Sequence, residues 1–162
     1  MERTILIPTD LHVGSLNALK SCLADSTTGR FRIVLLHAMH APSGISDLLF
    51  YSPRRALDTQ MSAAFREALS ILKNRFEQRI ASMEILPFHG ITQTAFEHFL
   101  SGLHVDEIHI SLNYEMRLSD RAIDPLPFIQ RSTIPVVEHG GRTTQASPDR
   151  HGVDHLQLLF ER

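Results

Sequence analysis

One cysteine, Cys22, stands in a chain of 162 residues, so no internal disulfide can form and a reducing compartment is expected. Basic residues are not clustered. Arg54–Arg55 is the only basic doublet, and a formal net charge of −2 leaves no electrostatic footprint for nucleic acid. No apolar run approaches the length of about 20 residues that a membrane helix needs. The chain enters a strand at Thr4, which leaves no room for a signal peptide, and a cytoplasmic protein is expected. The H-E-x-x-H, G-x-S-x-G, P-loop and C-x-x-C spacings are all missing, so no familiar catalytic or metal motif is offered. No glycine occurs between Gly102 and Gly140.

What is present is a repeated alternation. Short apolar, β-branched runs at Thr4–Pro8, Phe31–Met39, Met83–Phe88, Val105–Ile110 and Ile134–Val137 are separated by helix-like stretches. Such alternation predicts an α/β fold, a doubly wound five-stranded parallel sheet with helices on both faces. Ile33-Val34-Leu35-Leu36 is apolar without alternation, as a strand covered on both faces should be. Hydrophobic residues make up 43% of the chain, enough for one domain with a sizeable core. The division expected is a domain over 1–139 and a linker with an apolar tail over 140–162.

The helices follow from periodicity. Leu16, Leu19 and Leu23 predict a helix over Val13–Ser26 with Gly29 beyond its end. Leu57, Met61, Phe65, Leu69, Leu72, Phe76 and Ile80 predict one long helix from Pro53 to Ala81. Thr92 or Thr94 is expected to cap a third helix, and Asp124-Pro125 to open a short fourth one to about Arg131. Leu48-Leu49-Phe50-Tyr51 reads either as apolar surface or as packing on the long helix. The tail Val153–Phe160 fits helix and strand equally. Strand four breaks the rule, because Glu107 and His109 share a face; polar partners or the tail should cover them.

In a doubly wound sheet the ligand crevice lies beyond the carboxyl ends of the strands. Asp10, His12, His37, His40, His89, Ser111 and Asn113 gather there. Asp10 can either meet a ligand or cap the next helix. A metal site would need His37 and His40 brought together by a turn, with His12 or His89 as third ligand; His151 and His155 lack an evident third. Asp106, His109 and Ser111 lie on one strand, with His109 and Ser111 about 6–7 Å apart at Cα, and make no credible nucleophile relay. Cys22 reads as a packed thiol.

The order of these pieces resembles the universal stress protein family over residues 3–138. The carrying residues are Ile5-Leu6-Ile7-Pro8-Thr9-Asp10, Leu35-Leu36-His37-Ala38, His89-Gly90 with Thr94-Ala95-Phe96-Glu97, Val105–Ile110 and Ile134-Pro135-Val136-Val137. ATP-binding members carry a glycine-rich stretch after strand four, whose amides approach phosphates without an intervening Cβ. Here that stretch reads Ser111–Asp120 without glycine, and Glu115, Asp120 and Asp124 add negative charge. The resemblance therefore implies a degenerate nucleotide site with little or no ATP binding. It leaves Asp10 and the backbone near Ala38 as an adenine- or ribose-sized pocket.

The ligand-binding set expected is Asp10, His12, Ala38, His40, Ser111 and Asn113, with no catalytic residue, metal or cofactor. The function expected is a non-catalytic module for stress adaptation that binds a small ligand or a protein partner. The alternatives are a small metal protein or hydrolase using Asp10 and the strand-end histidines, and a dimeric scaffold whose crevice is self-filled. A homodimer through the last strand is expected, since that edge is bare.

Overall fold

A computed structural model describes residues 1–140. The tail expectations, including those on His151 and His155, fall outside the described residues. Five strands form one parallel sheet: β1 (Glu2–Pro8), β2 (Arg30–Ala38), β3 (Ile80–Phe88), β4 (Glu107–Ser111) and β5 (Val136–His139), in the order β3-β2-β1-β4-β5. The helices are α1 (Asn17–Asp25), α2 (Ile45–Leu49), α3 (Pro53–Gln60), α4 (Ala63–Arg75), α5 (Gln93–Gly102) and α6 (Leu126–Gln130).

The alternating pleat divides the core into two layers. Ile5, Ile7, Ile33 and Leu35 pack with Leu19 and Leu23 of α1, Leu57 of α3, and Phe65 and Leu72 of α4. Leu6, Val34, Leu36 and Ile108 point to the other face and meet Phe96 and Leu100 of α5 and Ile129 of α6. Burying each such side chain contributes about 1.5–3 kcal/mol. The chain winds outward from β1 through β2 to β3, then returns to place β4 and β5 on the other side of β1. The strand order thus reverses between β1 and β4, which sets the crevice beyond their carboxyl ends.

Several boundaries correct the sequence reading. The single helix over Pro53–Ala81 is two helices, because Met61 is extended and Ser62 starts afresh, its side chain accepting from the Phe65 N–H at 3.1 Å. Periodicity runs through the break because both pieces pack on one core. Ile80 is the first residue of β3, paired with Phe31, and so belongs to no helix. A 3₁₀ turn, Val13–Leu16, precedes α1. Gly29 does take a left-handed φ of +89°, but just ahead of β2; α1 itself ends on an extended Ser26. β5 starts at Val136, after Pro135, whose ring lacks the N–H a ladder needs. Thr92 caps α5, accepting from Ala95 N at 3.1 Å.

Candidate functional site

The crevice floor is built by the turn after β1. The Thr9 N–H bonds the Leu36 carbonyl at 2.8 Å, and the Thr9 hydroxyl accepts from the Leu11 N–H at 3.0 Å. Leu11 is held at φ +65° with its side chain fully buried, so packing pins a backbone conformation unfavourable for leucine. The tight turn aims Asp10 inward, where it is 5% exposed.

Both Asp10 oxygens are engaged. Oδ1 accepts from the His12 N–H at 2.9 Å. Oδ2 accepts from the Tyr114 hydroxyl at 2.5 Å and the Arg117 N–H at 2.7 Å. Burial, then the bond to Asp10, pushes the Tyr114 phenol far up, so it remains a donor. The capping reading of Asp10 is not realised: the 3₁₀ turn has no side-chain cap, the His12 N–H that Asp10 accepts precedes the first helical residue, and its other two donors come from beyond β4. Tyr114 lies on Gly14, where a Cβ would sit 2.2 Å from the ring carbon Cε2. Between Tyr114 and the ends of β1 and β4 only about 30 Å³ remains, lined by Pro8, Ser15, His109 and Met116 among others.

The segment after β4 closes the crevice further. The Ile123 N–H bonds the Ala38 carbonyl at 2.9 Å, the His40 N–H bonds the Arg121 carbonyl at 2.8 Å, and Met39 forms an antiparallel bridge with Ala122. Of the expected ligand-binding residues, Asp10 is therefore tied to the stretch after Ser111 and, through its other oxygen, to the His12 backbone. Ala38 and His40 spend the backbone groups just named on residues 121–123. Asn113 is exposed and Ser111 half-buried. Tyr114 and Gly14 were missed as site residues: Tyr114 lies in the glycine-free stretch, but nothing in its spacing tells that its hydroxyl reaches Asp10.

The strand-end histidines are separated. His37 is buried and its Nδ1–H donates to the Thr9 carbonyl at 3.0 Å, while its Nε2 has no partner among the described residues. His40 is exposed. His89 donates from Nδ1 to the Met39 carbonyl at 3.0 Å and accepts from Tyr51 at 3.3 Å. Among the described residues no three His, Cys, Asp or Glu side chains converge as metal ligands would. Cys22 is buried and its thiol is pushed up to about 11 by that burial, as befits a packed side chain. Ile45, Leu49 and Phe50 around α2 are exposed, so that cluster is apolar surface, while Tyr51 turns inward to His89.

The polar face of β4 has polar cover. His109, 5% exposed, lies 3.0 Å from Glu107 and 2.8 Å from His139, and Glu107 also pairs with Arg3 at 3.0 Å. Asp106 instead accepts from the Thr4 N–H at 2.8 Å, so Asp106, His109 and Ser111 form no relay.

No family model matches the chain, and no curated protein does. Solved structures do. Universal stress protein UspA from Lactobacillus plantarum is 13% identical, with 84% of this chain and 96% of that one covered and a TM-score of 0.55. Hypothetical protein MJ0577 is 19% identical over 88% of this chain and 98% of its own, with a TM-score of 0.52. Hypothetical protein PH0823 is 18% identical over 85% and 96%, also at 0.52. The chain has the universal stress protein fold, as the order of its sequence motifs indicated. No helix among the described residues is long and apolar enough to cross a membrane.

Proposed function

We propose that this protein is a non-catalytic, universal stress protein-like module for stress adaptation, with a degenerate nucleotide site that binds little or no ATP. The observation that carries this reading is the engagement of Asp10 by three donors of its own chain. A ribose or adenine entering the crevice has to displace Tyr114 and pull the Arg117 amide away. The stretch from Ser111 to Asp124 supplies no glycine amides for phosphates, and Glu115, Asp120 and Asp124 are exposed acids beside it. The module's partners are a small ligand or a protein.

A dimeric scaffold with a self-filled crevice is the second reading, and the fit of Tyr114 on Gly14 favours it. In both readings β5 is the assembly edge, because its outer side has no neighbouring strand among the described residues. Native mass spectrometry of the purified protein tests the pair. A retained small molecule lost on Asp10→Ala supports a ligand-binding crevice, and a bare dimer supports the scaffold. Retained ATP would contradict both.

A further inference from the structure

The contact between β4 and β5 contains a pair of histidines that no nucleotide role uses. His109 and His139 lie side by side, ring planes 19° apart and centroids 5.1 Å apart, with Nδ1 of His109 2.8 Å from Nε2 of His139. On its far side His109 Nε2 is 3.0 Å from Glu107 Oε2. A carboxylate only accepts, so His109 carries its hydrogen on Nε2. Its Nδ1 is then bare and accepts from the Nε2–H of His139. With both rings neutral, every nitrogen between Glu107 and His139 is satisfied.

Protons change this in order. The first can sit on Nδ1 of His139, at the half-buried end, without disturbing the pair. A second must sit on Nδ1 of His109, which places two N–H groups head to head at 2.8 Å and two like charges on neighbouring rings. Glu107 and Arg3 are the charges beside His109, one favouring and one opposing its protonation. Asp25 of α1 favours a charge on His139. Lys20 and Cys22 are the other ionisable groups of α1, which packs across β4 and β5. β5 itself has four residues, and its carboxyl end is held by the Leu112 N–H to the His139 carbonyl at 3.0 Å. The histidine bond is the side-chain tie at that same residue.

We propose that the His109–His139 pair is a proton-operated latch: acid breaks the bond between the rings and frees the carboxyl end of β5 from β4. Among the described residues the other strand junctions carry no such pair, so the loosening is confined to one edge. Burial disfavours charge on both rings and holds the latch closed at neutral pH.

Amide hydrogen exchange of the full chain, corrected for the chemical exchange rate, tests this between about pH 7.5 and about pH 5.5, either side of the ordinary histidine value. Opening of β5 relative to β1 should rise as the pH is lowered across that range, because the open edge binds protons more readily than the closed one. In His139→Gln the amide donates to neutral His109 and, turned over, accepts from the protonated ring through its oxygen, so no head-to-head N–H pair forms and β5 opening should stay flat. Equal opening of β1 and β5, or an unchanged acid response in the variant, overturns the proposal. Imidazole nitrogen NMR of the wild type gives a second readout should the variant misfold. Two Nε2–H tautomers at about pH 7.5 support the latch, and a His109 imidazolium at that pH contradicts it.

Discussion

The Tyr114 ring occupies the space that a side chain at residue 14 would need, with a Cβ there falling 2.2 Å from its edge. The glycine and the tyrosine are therefore one feature, contributed by the turn after β1 and the loop after β4. Gly14→Ala should evict the ring or shift the turn, with a cost of about 1–3 kcal/mol typical of overpacking. Denaturant unfolding of Gly14→Ala beside Gly14→Ala/Tyr114→Ala measures it. Gly14→Ala should cost less on a Tyr114→Ala background than on the wild type, because the clash is gone.

Tyr114→Phe keeps the ring and deletes the donor to Asp10. A hydrogen bond to a charged group contributes about 1.5–3 kcal/mol, so the variant should lose stability in that range. Asp10→Asn should lose at least as much, since one oxygen that accepts two N–H or O–H donors is replaced or turned away. Urea midpoints at unchanged m-values would establish both losses.

Legibility in the sequence differed by level. The sheet was readable because runs such as Ile33–Leu36 announce burial on both faces, whereas its strand order, β3-β2-β1-β4-β5, is set by long-range pairing that no run of residues reports. Asp10 was readable as a crevice residue because it follows the first strand. Its partners were not: Tyr114 and Arg117 lie over a hundred residues away, and only the fold sets that contact. The break at Met61–Ser62 was hidden because hydrophobic periodicity reports which face is buried, not whether the backbone continues. His139 was missed as the partner of His109 because the run ending at Val137 placed the strand two residues too early, and Pro135 was the signal for the later start.

The cap at Ser62 makes its own prediction. Its side chain accepts the Phe65 N–H at the start of α4. Ser62→Ala should cost about 1 kcal/mol, while Ser62→Asp should cost little, as judged by thermal unfolding.

Stability should depend on pH through the two histidines. Burial lowers both from the ordinary value of 6.5, so the folded chain binds protons less readily than the unfolded one. Their contribution is complete above that ordinary value and is lost as pH falls through the lowered folded values. Urea midpoints across that window should drop with acid. His109→Gln, which removes one titrating ring, should flatten the slope.

Assembly through β5 predicts a homodimer at micromolar concentration by light scattering. A charged side chain at Val136, which is 36% exposed on the edge strand, should convert it to monomer without unfolding. Removing residues 142–162 separates the edge from the tail as the source of the contact.

The self-filled crevice is tested most directly by calorimetry with Mg-ATP on the full chain. No heat of binding is expected for the wild type at micromolar concentrations, and none for Asp10→Ala. A low-micromolar dissociation constant that disappears in Asp10→Ala would contradict it, because the nucleotide would then be using the carboxylate that Tyr114 and Arg117 hold.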